Sequence, residues 1–238
     1  MRFNHITVKY ENHRKVFEDF SLDLAEGQIT CVMGASGIGK TTLLRMAAGL
    51  EQPMSGSVQR KEEERTSFVF QEPRLLPAKT VLENVQWVLE RQGDEETNRK
   101  VLALLEEAGL IHAINDYPDQ PSGGMKQRVS VVRAFVPNPQ FLIMDEPFQS
   151  LDAATRREMQ KLLLLLWHKQ KSTVLLVTHD PEEALALGSR IVVLGGSPAT
   201  IILDISGTDN EDGMTFSETD RVRLKQLTHV QVLYNDEE

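Results

Sequence analysis

The chain has 238 residues, which allows one domain but not two independent cores, and its 40% hydrophobic and 26% charged residues are ordinary for a globular protein. Its 26 basic and 35 acidic residues give a net charge of −9, which argues against nucleic acid as a partner because that partner needs an extended basic surface. The single cysteine, Cys31, excludes an intrachain disulfide and fits a reducing compartment.

The first part of the chain predicts short strands around one helix. Met1–Tyr10 alternates polar and apolar residues without an apolar signal segment, and antiparallel strands are expected up to about residue 28. Ile29–Met33 is a compact apolar strand that enters a glycine-rich loop, and a helix is expected over Thr41–Gly49. Further strands are expected at Ser55–Val58 and Ser67–Gln71.

The middle and the end of the chain have a different pattern. Residues 72–136 are helical in character, with amphipathic stretches at 81–92 and 96–108 that predict a helical subdomain. The strands expected after it are Phe141–Met144, Val174–Val177 and Ile191–Leu194, and the helices between them are Ala153–Lys169 and Glu182–Leu187. Strands that alternate with helices of this length predict a parallel sheet covered by helices.

The glycine-rich loop fits the pattern G-x-x-x-x-G-K-[ST] between a predicted strand and a predicted helix. Its nine residues are Gly34, Ala35, Ser36, Gly37, Ile38, Gly39, Lys40, Thr41 and Thr42. Glycines let successive backbone amides point at phosphate oxygens, and the helix N-terminus adds partial positive charge. We expect Lys40 to reach the β- and γ-phosphates of ATP and the Thr41 hydroxyl to bind Mg²⁺. The alternative is a flexible glycine loop before a helix.

Two carboxylates end the apolar strand that is predicted at residues 141–144. Because the carboxyl ends of parallel strands meet at one edge, we expect Asp145 and Glu146 to lie on the side of the phosphate loop. Asp145 suits Mg²⁺ coordination, and Glu146 suits activation of the attacking water as a general base. The alternative is a strand that ends in a solvated acidic turn. With the loop, the pair predicts a P-loop NTPase.

A second anion-binding feature lies at the start of another predicted helix. Ser122, Gly123, Gly124 and Met125 place small residues there, where backbone amides are unpaired. One domain with one phosphate loop has no obvious need for a second such site. We therefore expect this helix end to serve the nucleotide of a second copy, although a Ser-Gly-Gly by itself is more often a plain loop.

Four further positions complete an ordered set of motifs. They are Tyr10 before the loop, Gln71 in Phe70-Gln71-Glu72-Pro73, Asp152 in Ser150-Leu151-Asp152, and His179 in Val177-Thr178-His179-Asp180. From about residue 3 to residue 205 the chain resembles the nucleotide-binding subunit of an ATP-binding cassette (ABC) transporter. In that family these positions match the adenine-stacking aromatic residue, the Q-loop glutamine, the D-loop aspartate and the switch histidine.

The resemblance implies a single α/β domain with the ABC ATPase fold over residues 1–238. A RecA-like parallel-sheet core with an antiparallel β subdomain would occupy residues 1–71 and 137–206, and the helical subdomain residues 72–136. Residues 207–238 would form a C-terminal tail with a closing helix. Its cap is predicted at Ser217 and Asp220 from their spacing.

The resemblance also implies a mechanism in which two copies close head to tail around two ATP molecules. Each ATP would lie between one copy's phosphate loop and the other copy's Ser122–Met125 segment. Gln71 would sense Mg²⁺ and the attacking water, His179 would contact the γ-phosphate, and Asp152 would couple the two sites. Plain packing is the alternative for Tyr10, and a capped surface histidine is the alternative for His179.

The implied partners are membrane-spanning permease subunits and, indirectly, a solute-binding protein. The longest leucine run, Leu162–Leu166, is far shorter than the roughly 20 residues that span a bilayer, so we expect a peripheral protein on the cytoplasmic side of the membrane. Phe70–Pro77 and Val81–Leu89 are the expected docking groove, with Leu75 and Leu76 exposed.

Two residues depart from the family signature, since Pro121 replaces the usual leucine and Met125 the usual glutamine. Proline is tolerated before a helix because no intrahelical N–H is lost there. The short spacing from Gln71 to Ser122 excludes the long coiled coil of chromosome-maintenance relatives. The resemblance is closest to bacterial importers of the nitrate/sulfonate/taurine group. An ABC exporter subunit, a soluble ABC ATPase without transport and a P-loop kinase are the alternatives.

Overall fold

The computed structural model describes residues 1–10, 15–61, 64–89, 94–119, 122–210 and 213–235, and it contains two compact units. The first unit consists of residues 1–64 and 173–238, and the second unit of residues 65–172. The subdomain limits expected at residues 72 and 136 stay a prediction.

A three-stranded antiparallel sheet opens the first unit. Strand β1 (Arg2–Lys9) lies between β2 (Lys15–Asp23) and β4 (Ser55–Gln59). The apolar side chains of Phe3 and Ile6 in β1 are fully buried. The antiparallel strands predicted from the alternating sequence are therefore present.

A second group of strands in the first unit has the order β7 (Thr173–Val177), β3 (Ile29–Met33), β8 (Arg190–Gly195) and β9 (Thr200–Ser206). Strand β3 pairs in parallel with β7 and β8, and β9 pairs antiparallel with β8. All five residues of β3 are buried, as the continuous apolar run predicts. Strand β9 had not been predicted, because only two of its seven residues are buried.

Helices follow the parallel strands of the first unit. Helix α1 (Lys40–Ala48) begins directly after the glycine-rich loop and ends at Gly49, whose φ of 75° closes it in the left-handed conformation, as predicted. Helix α6 (Pro181–Leu187) follows β7 after three residues and packs against β3.

The tail of the first unit forms a short hairpin and a helix. Strands β10 (Thr208–Asn210) and β11 (Gly213–Thr215) pair antiparallel, and α7 (Glu218–Asn235) follows them. The Ser217 hydroxyl accepts a hydrogen bond from the Asp220 N–H at 3.1 Å and donates one to the Asp220 carboxylate at 2.6 Å. A helix with the predicted cap is therefore present in the tail, and its role as a closing helix stays a prediction.

In the second unit, β5 (Thr66–Val69) pairs in parallel with β6 (Phe141–Asp145). The helices are α2 (Val81–Gln86), α3 (Glu95–Glu107), α4 (Gly123–Phe135) and α5 (Ala153–Gln170), with a 3₁₀ turn at Ile111–Ala113. Capping side chains of Thr80, Asp94, Ser122 and Asp152 begin the four α-helices.

Two expectations about the region after β5 are wrong. Helix α2 ends at Gln86 instead of continuing through Leu89, because Trp87 and Val88 are exposed and provide no burial for another turn; residues 90–92 of the expected stretch lie outside the described residues. Leu75 and Leu76, expected to be exposed, are half-buried. The exposed apolar side chains here are instead Trp87 (55% exposed) and Val88 (41% exposed).

Candidate nucleotide site

The glycine-rich loop of the first unit is curled around its own lysine. The Lys40 Nζ donates hydrogen bonds to the carbonyl oxygens of Gly34 at 2.8 Å and Ala35 at 2.9 Å. Gly39 has a φ of 119°, and a Cβ added there would lie 2.5 Å from Val16 Cγ1, so only glycine fits. These residues match a phosphate cradle, because the backbone is bent tightly and the helix N-terminus and one ammonium group are held beside it.

Tyr10 lies beside this loop. Its hydroxyl shares a 2.6 Å hydrogen bond with the hydroxyl of Thr42, and the residue is 40% exposed. Thr42 is buried, whereas Thr41, the predicted Mg²⁺ ligand, is exposed. An exposed ring fixed at the loop suits adenine stacking, which stays a prediction.

His179 follows β7 in the same unit. The N–H of the preceding Thr178 donates to the carbonyl of Val32 in β3 at 3.2 Å, which extends the parallel pairing by one residue. Because β3 and β7 run in parallel, the phosphate loop and His179 both follow the carboxyl ends of neighbouring strands, where α/β sheets bind ligands. His179 is exposed at this edge.

The predicted acidic residues lie in the second unit, at the end of β6. Glu146 has a φ of 43°, a left-handed conformation that is uncommon for a residue with a side chain, and both Asp145 and Glu146 are half-buried. Strain of this kind costs about 1–3 kcal/mol and is found most often where a side chain has to be aimed.

The loop after β5 is linked to the loop after β6. The Gln71 side-chain amide donates to the side-chain oxygen of Gln149, and the Gln149 N–H donates to the Glu146 carbonyl at 3.3 Å. Gln71 and Glu146, two residues of the predicted catalytic set, are thereby connected through a residue that the sequence did not single out.

Two side chains of helix α4 donate hydrogen bonds to the backbone of these loops. The buried Gln127 amide donates to the Pro147 carbonyl at 2.6 Å and to the Phe70 carbonyl at 3.4 Å. Arg133 donates to the carbonyls of Pro73 at 2.8 Å and Arg74 at 3.0 Å, and burial lowers the pKa of its guanidinium. Sequence reasoning missed both side chains, because α4 carries other polar residues and nothing in the local pattern marks these two.

The start of α4 carries the Ser-Gly-Gly. The Ser122 hydroxyl accepts a hydrogen bond from the Met125 N–H at 3.4 Å and so caps the helix. A Cβ added at Gly124 would lie 2.6 Å from Thr155 Cγ2, whereas one added at Gly123 would meet no atom of the described chain within 4 Å. Pro121 lies outside the described residues.

Asp152 begins helix α5 in the same unit. Its carboxylate accepts hydrogen bonds from the Ala154 N–H at 3.0 Å, the Thr155 N–H at 3.1 Å and the Thr155 hydroxyl at 2.6 Å. The bonds from Thr155 hold the pKa of Asp152 below its ordinary value. The predicted coupling role of this residue stays a prediction.

A protein-family model described as "ABC transporter" matches residues 17–149. The chain belongs to the ABC transporter family. Among curated proteins, it is 44% identical over 204 residues to aliphatic sulfonates import ATP-binding protein SsuB 1 of Agrobacterium fabrum, covering 85% of this chain and 74% of that protein. It is 46% identical over 187 residues to a second SsuB, from Pseudomonas syringae pv. tomato, covering 78% of both.

A further relative, SsuB 1 of Burkholderia lata, is 46% identical over 185 residues, which are 76% of this chain but only 57% of that protein. This ABC subunit is also similar to the solved dimeric structure of a bacterial ABC transporter cassette, with a TM-score of 0.73, 29% identity and coverage of 86% and 97% of the two chains. A dimeric cassette in a post-hydrolysis state bound to ADP and Pi gives a TM-score of 0.72 at the same identity.

These comparisons confirm the resemblance, the ABC ATPase fold class and the expectation of an ATP-binding, ATP-hydrolysing subunit of a transporter. The roles of the individual residues stay predictions. No helix in the described ranges is both long enough and apolar enough to cross a membrane.

Proposed function

We propose that this chain hydrolyses ATP as a head-to-tail homodimer and thereby drives a membrane permease that imports a solute. The phosphate loop carries the proposal, since its curled backbone and its lysine have the form that binding of a nucleoside triphosphate needs. The family membership supports it, and the P-loop kinase alternative is set aside on the same ground.

In the first unit we assign binding roles. Lys40 would leave the carbonyls of Gly34 and Ala35 and pair with the β- and γ-phosphates. Tyr10 is fixed at the loop by its hydrogen bond to Thr42 and would stack on adenine. His179 would contact the γ-phosphate from the end of β7.

In the second unit we assign the chemistry of hydrolysis. Glu146 would accept a proton from the attacking water, while Gln71 would hold that water in place. Asp145 and Gln71 would offer Mg²⁺ the oxygen ligands that it prefers, and in the first unit the Thr41 hydroxyl would offer an oxygen of the same kind. A bound magnesium ion would offset charge on the β- and γ-phosphates. The bonds from α4 to the Phe70 and Pro147 carbonyls would keep the two loops aligned.

The second copy would complete each site with its Ser122–Met125 segment and Asp152. The open space at Gly123 supports this assignment, because no described atom of the chain itself occupies it, whereas the space at Gly124 is filled by Thr155. The space at Gly123 leaves room for a γ-phosphate beside the start of α4, where the backbone amides favour an anion.

Gly123→Ala is therefore expected to lower the ATPase rate at least about tenfold, because a methyl group would stand where the partner's nucleotide has to approach. The midpoint of thermal unfolding should stay within about 2 °C of the parent value, since nothing in the described chain is displaced. Gly124→Ala is the matched control, and its clash with Thr155 should lower the unfolding midpoint itself. Full activity of Gly123→Ala at all protein concentrations would contradict the shared site.

The permease is expected to bind near the loop after β5 and helix α2, on the cytoplasmic side of the membrane. Trp87 and Val88 expose apolar surface there, and the Lys79 ammonium lies 4.7 Å from the centre of the Trp87 ring. An aromatic side chain with a charged neighbour is typical of interface anchors. A solute-binding protein would complete the importer.

For the solute we propose an aliphatic sulfonate, because three relatives at 44–46% identity are named as ATP-binding proteins for sulfonate import. Loss of the gene is expected to abolish growth of the encoding organism on an alkanesulfonate as the only sulfur source and to leave growth on sulfate unchanged. Complementation with the parent gene should restore growth on the alkanesulfonate, and complementation with a gene that encodes the Glu146→Gln variant should not. Undiminished growth of the deletion strain on alkanesulfonates would contradict this solute.

A further inference from the structure

The backbone around His179 is held by a buried group of hydrogen bonds. The Thr178 hydroxyl accepts a bond from the Asp180 N–H at 3.1 Å and donates one to a carboxylate oxygen of Glu183 at 2.7 Å. The Asp180 carboxylate in turn accepts from the N–H groups of Glu182 at 2.9 Å and Glu183 at 3.4 Å. The residues directly before and after His179 are thus tied to the first turn of α6.

Glu183 is an unexpected residue at its position. It is only 4% exposed, and its neighbours on the inner face of α6, including Ala184 and Leu187, are apolar and buried. A buried carboxylate costs free energy, so a purely structural position facing β3 would favour an apolar side chain. On β3, the pKa of the buried Cys31 thiol is raised mainly by burial and also by the charge of Glu183.

We propose that Glu183 is a positioning residue for His179, acting through Thr178. The inference rests on the proposed role of His179 at the γ-phosphate. The chain of bonds runs from the Asp180 N–H to the Thr178 oxygen and from the Thr178 hydroxyl to Glu183, so the carboxylate determines which way the hydroxyl proton points. Because the Thr178 N–H is also bonded to Val32, both its backbone and its side chain are constrained.

This arrangement has a direct consequence for the histidine. His179 is exposed, and the backbone on either side of it contributes to where its ring lies. Without an acceptor at Glu183 the Thr178 hydroxyl can rotate away from the Asp180 N–H, and the turn that carries His179 gains freedom. A misplacement of about 1 Å at a reacting group costs up to about a hundredfold in rate.

The test compares Glu183→Leu and Thr178→Val with Glu182→Leu, which removes a neighbouring carboxylate that is exposed and paired only with Lys225 in the described salt bridges. We expect the first two to lower kcat about tenfold with KM for ATP within about twofold of the parent value. Glu183→Gln and Thr178→Ser should restore most of the rate, since each keeps the hydrogen-bonding atom. Glu182→Leu should leave kcat unchanged.

A second measurement separates positioning from loss of stability. The ring C–H signal of His179 in NMR spectra, assigned by its absence in His179→Ala, should shift or broaden in Glu183→Leu and Thr178→Val but not in Glu182→Leu. In single-turnover assays, Thr178→Val should lower the rate of the parent protein and add no further loss to His179→Ala. If Glu183→Leu does not fold, Thr178→Val, which removes the hydroxyl, and Thr178→Ser, which keeps it, provide the comparison.

Unchanged kcat in Thr178→Val, or equal losses in the parent and His179→Ala backgrounds, would overturn the positioning role and leave the proposed function intact. A fully active His179→Ala variant would instead refute the role of His179 itself, and this inference with it. The two failures are thus distinguishable.

Discussion

Glu146→Gln is expected to lower the ATP turnover number at least about a hundredfold, because an amide cannot accept the proton of the attacking water. The side chain keeps its size and its place after β6, where Glu146 adopts a φ of 43°. ATP affinity should therefore stay within about twofold of the parent value, since the phosphate loop is unchanged. The variant should accumulate as an ATP-bound dimer, because binding draws two copies together and hydrolysis separates them.

Phosphate release and size-exclusion chromatography with saturating ATP measure both effects. Glu106→Gln, an exposed change of the same type on α3, is the matched control and should behave like the parent protein. Parent-like turnover of Glu146→Gln would remove Glu146 from the role of general base. A variant that binds ATP but stays monomeric would contradict the dimeric mechanism.

Lys40→Ala is expected to raise the dissociation constant for ATP by about ten- to a hundredfold, the size of one charge-assisted hydrogen bond to phosphate, and to abolish detectable hydrolysis. In the structure the Lys40 ammonium binds the carbonyls of Gly34 and Ala35, both of which belong to half-buried residues that water can reach. The variant should therefore fold normally.

Isothermal titration with ATP measures the loss, and the midpoint of thermal unfolding without nucleotide checks the fold. Lys161→Ala on the exposed face of α5 is the matched control, because it removes an ammonium group away from the phosphate loop. Unchanged ATP affinity in Lys40→Ala would refute the assignment of the loop.

Glu146, the proposed general base, could be predicted from the sequence, whereas Glu183, the proposed positioning residue, could not. Glu146 was predicted because it follows an apolar strand and stands in a recognisable motif, a pattern that depends only on neighbours in the chain. Glu183 was not, because a glutamate in the first turn of a helix is ordinary on a solvated face and only its burial against β3 makes it unusual.

The contrast between local sequence patterns and burial by distant elements also explains which secondary-structure predictions were right and which were wrong. The antiparallel strands at the start, β3, α1 and the cap of α7 follow from local alternation, glycine positions and capping side chains, and all of them are confirmed. Strand β9 and the early end of α2 were missed, since each depends on which side chains other elements cover. The half-buried state of Leu75 was missed for the same reason.

The sequence by itself determined the family, the phosphate loop and the identity of each predicted site residue, because bent backbones and helix starts require particular residues at fixed spacing. Only the tertiary structure decided what holds those residues. Gln127 donates a hydrogen bond to the Phe70 carbonyl, 57 positions away in the chain. A side chain at position 124 would clash with Thr155, which is far away in the sequence but adjacent in the fold. Such contacts follow from packing between elements, whose partners the local pattern of a single chain does not contain.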